Sequence, residues 1–190
     1  MKKLIAGCMG GKAYHEDLQS ANQENVQLAA REFGYFDFRA YDKDGNLLWS
    51  ELNVPNDLAD EGEYAFLDVY LRAGTAPTQF YIRLYNDTPV ETDTLTLLTG
   101  EPTTNGYAAQ LVERSATGWP TLALDTGDYQ ATSSQKTFSA TGGSWGPVTY
   151  CVGATTSDNT GKLIAYAVLS QSRTLNDGEQ LKVTYKMKLQ

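Results

Sequence analysis

The sequence predicts a mainly β chain: an antiparallel β-sandwich, jelly-roll or immunoglobulin-like, with one short helix and an N-terminal arm that is extended or helical. Two observations carry this. Leu181, Val183, Tyr185, Met187 and Leu189 alternate with Gln180, Lys182, Thr184, Lys186 and Lys188, the period of a half-buried strand with one wet face. Short apolar or aromatic runs of the same kind recur from residue 34 onward, separated by Gly-, Asn- and Asp-rich turns, about eight strands in all.

The elements follow in order. Residues 1–33 form a separate arm, and residues 34–190 the sandwich domain. In the arm, Gly7-Cys8-Met9-Gly10-Gly11 is a loose stretch. Asp17 to Arg31 is rich in Gln, Asn and Ala, and allows at most one weak helix near 16–31. Leu18, Val26 and Leu28 are its large apolar residues, too little surface to bury alone. They are the candidate anchors on a neighbouring subunit.

Tyr35–Tyr41 and Leu47–Leu52 flank Asp42-Lys43-Asp44-Gly45-Asn46, a β-hairpin pattern. The turn carries three calcium-type ligand residues. However, its glycine falls fourth and Asn53 falls twelfth, where an EF-type loop needs a sixth-place glycine and a twelfth-place glutamate. It reads as a turn. Asp57 to Arg72 is the helix candidate. Tyr64, Leu67, Leu71, Ala65 and Val69 have helical spacing, acids sit at the start, and Gly74 closes it. Strands are expected at 80–85, 106–113, 121–124, 135–140, 147–153 and 162–169, with a short helical turn at 93–98. The last strand follows the Asn176-Asp177-Gly178 turn.

Composition restricts function. The 190 residues are 41% hydrophobic and 20% charged, a globular balance. A net charge of −8 disfavours phosphate backbones, so nucleic acid is not an expected partner. No apolar run approaches the ~20 residues that span a bilayer. Met1 to Cys8 has the look of a lipidation signal. Only Leu4, Ile5 and Ala6 lie between the lysines and Gly7, too short to engage a membrane. Two distant cysteines, Cys8 and Cys151, give neither a zinc pattern nor a disulfide framework, and read as free thiols.

Catalysis needs convergent acids, bases, nucleophiles or metal ligands. The one histidine, His15, lies in the arm, and no glycine-rich phosphate loop with a lysine occurs. Neither catalytic residues, nor metal ligands, nor a cofactor are expected. A glycosidase-type carboxylate pair is the enzymatic alternative. Tyr107, Trp119, Tyr129 and Trp145 lie in or near expected loops and are the candidate ligand-binding aromatics. The competing reading is that they fill the core and cap loops.

The order of several motifs resembles a known family. Arg39-Ala40-Tyr41-Asp42-Lys43-Asp44-Gly45-Asn46-Leu47-Leu48-Trp49 is similar to the opening hairpin of tailed-phage virion proteins: tail-fibre, head-fibre or decoration, and minor structural proteins. Leu67–Leu71 and Phe80–Tyr85 follow. Then come Gly106-Tyr107-Ala108-Ala109-Gln110, Trp145-Gly146-Pro147-Val148-Thr149-Tyr150, Gly161–Leu169 and Gly178-Glu179-Gln180-Leu181. Each is a plain turn or strand signature; their succession over residues 35–190 carries the resemblance. It implies a non-catalytic sandwich that assembles on the virion after synthesis in the host cytoplasm. The implied partners are other virion proteins, such as major capsid or tail and neck proteins, and further copies of itself. The alternative is a receptor- or glycan-binding module of a tail or fibre.

Overall fold

The computed structural model describes residues 34–188. The arm, with Cys8, His15, Leu18, Val26 and Leu28, lies outside the described residues, as do Leu189 and Gln190.

The first hairpin forms as the sequence predicts, with a longer second strand: β1 is Gly34–Tyr41 and β2 is Leu47–Leu58. The Asp42 carboxylate holds the turn by accepting from the Asp44 and Asn46 amides at 2.9 and 2.8 Å and from Asn46 Nδ2 at 2.9 Å. Those three bonds turn the carboxylate onto its own loop, so the local chemistry is that of an Asx turn. A bulge interrupts β2 opposite Phe36–Phe38, with Asn53 in the left-handed region at φ 53°. Asp37 Oδ1 accepts the Asn53 amide at 2.8 Å, so the bulge's amide is not left unpaired.

Beyond the bulge β2 changes partner. It pairs with β1 up to Asn56, and at Asp57 and Leu58 with β9. Asp57 and Leu58, read from sequence as the start of the helix, are therefore strand. The helix α1 is Asp60–Leu71.

Eight further strands follow among the described residues: first β3 (Gln79–Tyr85), β4 (Gln110–Glu113), β5 (Thr121–Asp125), β6 (Asp128–Thr132), β7 (Lys136–Ser139), β8 (Trp145–Ala154) and β9 (Leu163–Leu175). The last is β10 (Gln180–Lys188). A 3-10 turn spans Leu95–Leu97, inside the expected helical turn. The strand expected at 106–113 is confined to its second half, and β6 went unread in the sequence.

All pairings are antiparallel, in the order β4-β3-β8-β9-β2-β1-β10-β6-β5, with β7 also on β10. The chain is thus mainly β, a single sheet curled through the corner in β2.

The main core lies inside the curl. Phe36 and Phe38 from β1 meet Ile82 and Leu84 from β3, Phe138 from β7, and Leu181 and Val183 from β10. Phe36 stacks on Tyr185 with ring centroids 4.2 Å apart. Each fully buried aromatic contributes about 1.5–3 kcal/mol of transfer free energy. A second cluster, with Tyr85, Val152 and Leu163, lies under Leu95 and Leu98. Strands β8 and β9 supply both clusters, which is why Leu163–Ala167 reads as unbroken apolar sequence and not as alternation.

The helix meets the sheet at its smallest residue. A Cβ on Gly62 would sit 2.2 Å from the Ile164 carbonyl oxygen. Ala65, Phe66 and Val69 continue that inward face, whereas Tyr64, Leu67 and Leu71 are 52%, 58% and 77% exposed. Gly62→Ala would gain helix propensity of about 1 kcal/mol. It must nonetheless push the helix from β9, so a net loss of about 1–3 kcal/mol is expected, read as a lower urea midpoint.

The wet face of β10 is drier than its alternation implies. Lys186 pairs with Asp37 at 2.8 Å and donates to Asn53 Oδ1 at 2.8 Å. Lys188 is only 5% exposed, because the β5–β6 tip folds over it: its Nζ reaches Thr126 Oγ1 at 2.7 Å and Asp125 at 3.4 Å.

Candidate binding surface

An apolar groove lies between α1 and the strand ends beside it, with a cavity volume of about 210 Å³. Phe66, Val69 and Tyr70 form the helix wall; Phe80, Trp119 and Met187 face them. Among the described residues, Arg114 is the only charged side chain in its lining. Next to the groove, α1 shows Leu67, Tyr70 and Leu71 to solvent, Tyr70 at 80%. Exposed apolar residues gathered in this way mark an association surface more often than a lone exposed leucine does.

The four candidate aromatics have different fates. Trp119 is half-buried in the groove wall, edge-on to Phe80 at 6.0 Å and tilted against Tyr185 at 5.8 Å. Tyr129 is 62% exposed on β6. Trp145 is 3% exposed, packs against Tyr107 and Phe138, and donates from Nε1 to the Ser139 carbonyl at 2.9 Å. Tyr107 stacks on Phe138, and its hydroxyl accepts the Leu84 amide and donates to Glu101, both at 2.9 Å. Burial, with Glu101 alongside, pushes the Tyr107 hydroxyl pKa well up. Trp145 is thus buried in the core, and Tyr107 is half-buried with its ring stacked on Phe138. The groove brings in Phe66, Tyr70 and Phe80, which the sequence reading did not assign to a site; their signal was aromatic density on the helix and the neighbouring strand.

The ionisable groups are committed elsewhere. Arg83 is 1% exposed; it bridges to Glu101 and donates to the Asp158 carbonyl at 2.7 Å and to Asn159 Oδ1 at 2.8 Å. Glu61 accepts the Leu95 and Leu163 amides at 3.0 and 2.8 Å. Cys151 is fully buried, which pushes its thiol up. Among the described residues no three His, Cys, Asp or Glu side chains are grouped to hold a metal, and no helix is long and apolar enough to cross a membrane.

Several carboxylates are held below their ordinary range. The Asn46 side chain and amide do this to Asp42, the Thr99 amide to Asp87, and Thr160 to Asp158. For Glu51, burial works in the opposite direction, but bonds from Arg173 and Ser170 outweigh it. A folded pKa below the unfolded value gives stability that is complete above the unfolded value and drains as pH falls through the folded one. The urea midpoint should therefore fall once pH drops below about 4.5, and Glu51→Gln should shrink that acid-side loss.

The groove's residues all lie within the stretch that matches a family model. That model is described as Podophage GP4 fiber I protein gp80, and it matches residues 57–187. The opening hairpin, on which the sequence resemblance also drew, precedes this stretch. No curated protein matches the chain. With more than half of the chain matched, from the β2 corner to Met187 on the groove wall, this protein belongs to the podophage fiber I protein gp80 family, a family of phage fibre proteins, and so to the structural proteins of the tailed-phage virion.

Proposed function

We propose that the chain is a non-catalytic structural subunit of the virion, a head-decoration, head-fibre-base or tail-associated protein that works by binding and not by turnover. In this reading residues 34–190 are the folded module and residues 1–33 an arm. The module presents its apolar groove and the exposed face of α1 to other virion proteins. The arm lays Leu18, Val26 and Leu28 on a neighbouring subunit, and further copies of the chain are among the partners. The observation that carries this is the groove itself: among the described residues its lining has a single charged side chain, Arg114, so these residues offer contact area and no acid–base pair.

The test is incorporation into particles. Full-length protein with Leu18, Val26 and Leu28 replaced by Asp should fold with an unchanged circular dichroism spectrum, and mass spectrometry of purified particles should find it depleted. Normal incorporation of that variant would remove the arm from the mechanism, and absence of the wild-type protein from particles would remove the structural role. The glycan-binding alternative is favoured by one feature, the half-exposed Trp119 in a groove with Tyr70 across from it. It requires binding on a glycan array that Trp119→Ala abolishes with the fold intact.

A further inference from the structure

Among the described residues, the β5 strand is a sheet edge with no second partner strand, and its character is unusual. All five of its residues are exposed, Leu122 at 72% and Leu124 at 63%. Among the described residues it pairs with β6 alone, and β6 meets β10 at Lys186 to Lys188, where the described residues end. An isolated two-stranded ribbon is marginal in water, and exposed edges are usually blunted with lysine, proline or a bulge. This one has none of these between Thr121 and Asp125. The opposite edge of the sheet is protected. The turn from Ser115 to Gly118 folds back over the end of β4, where a Cβ on Gly118 would lie 1.9 Å from the Glu113 carbonyl oxygen.

The register shows which backbone groups are free. Asp125 and Asp128 close the two-residue loop Thr126-Gly127, whose φ angles of 51° and 101° are those of a type I′ turn. The closing pair of such a hairpin exchanges both ladder bonds, and bonded pairs alternate along the strands. Thr121, Ala123 and Asp125 therefore bond inward to β6, while the N–H and C=O of Leu122 and Leu124 point out along the edge.

The geometry points to antiparallel pairing of this edge with the same edge of a second copy, on a two-fold axis through Ala123. In that register each Leu122 faces the partner's Leu124 and exchanges both ladder bonds with it, so the two strands form four. Ala123 meets its own copy. Thr121 falls opposite the one charged residue, Asp125, whose carboxylate already has Lys188 at 3.4 Å. The contact thus opposes no two uncompensated charges, although the chain as a whole carries −8. Tyr129, directly across from Leu124 on β6, extends the leucines into one apolar strip over the joint four-stranded ribbon. The strand is its own complement, which is what an isologous interface requires. This locates the self-association named in the preceding subsection. Its failure would leave the virion role standing, since particle incorporation is measured separately.

The experiment uses the full-length chain with Cys8→Ser as background. Sedimentation should show a concentration-dependent dimer. Leu124→Pro, which removes an outward amide that β6 does not use, should weaken dimerisation at least tenfold without changing the circular dichroism spectrum. Ala123→Cys should form a disulfide-linked dimer on mild oxidation, because directly opposed residues of an unbonded pair stand ~4.5 Å apart at Cα, within disulfide reach. Thr121→Cys, two residues off the axis, should not. A monomeric wild type, a Leu124→Pro protein that dimerises normally, or crosslinking that is equal for the two cysteine variants or missing from Ala123→Cys would each overturn the pairing.

Discussion

Arg83→Ala is expected to cost about 3–5 kcal/mol of folding stability, the range for removing one partner of a buried ion pair. The guanidinium is 1% exposed and joins three segments: its own strand β3, the loop carrying Glu101, and the 158–159 turn. Removing it leaves Glu101 facing the Tyr107 hydroxyl with no cation beside it, and takes one donor each from the Asp158 carbonyl, which keeps Thr156 Oγ1, and from Asn159 Oδ1, which keeps the Tyr85 hydroxyl. Burial works against the charge on Arg83, yet its bond to Glu101 prevails and its pKa is raised, so it stays charged over the ordinary pH range. The measurement is the urea midpoint of Arg83→Ala beside Glu101→Gln and the double variant. Coupling predicts a double variant much less destabilised than the sum. Strict additivity would mean that the two groups do not form one network.

Trp145→Ala is expected to cost about 3–5 kcal/mol, the usual cost of deleting a large buried aromatic. The cavity would open between Tyr107 and Phe138, and the Ser139 carbonyl would lose its indole partner. Trp119→Ala should cost less, because that ring is half-exposed already. The contrast bears on function as well as stability. A ligand lost on Trp145→Ala would report unfolding, so an aromatic recognition test must rest on Trp119 or Tyr129. If thermal melts showed Trp145→Ala to be as stable as Trp119→Ala, the packing account of Trp145 would fail.

Much of the candidate surface was hidden from the sequence for one reason. On α1, two faces satisfy helical spacing: Tyr64, Leu67 and Leu71 on one side, and Gly62, Ala65, Phe66 and Val69 on the other. Counting large apolar residues cannot tell them apart. The choice is made by the approach of the helix to the Ile164 carbonyl, which admits only a residue without a side chain. Once Gly62 faces inward, the larger side chains are left in solvent, and the groove and the exposed stripe come from that single contact. Tyr107 and Trp145 illustrate the same limit. Trp145 sits in a segment that reads as loop and Tyr107 at the start of an expected strand that does not form there, but the fold packs both rings against Phe138.

What the amino-acid order determined by itself was the element type. The period-two alternation of β10, the Asx turn at Asp42 and the hairpin around it are short-range matters, settled by neighbours within a few residues of one another. Only the tertiary structure decided the partner of each strand and the side of each element that is buried. Strand β2 changes partner at Asp57, Lys188 disappears under a hairpin tip, and among the described residues β5 is left with an open edge. Those outcomes depend on residues brought together from distant parts of the chain, and no local pattern encodes where a curled sheet closes and where it stops.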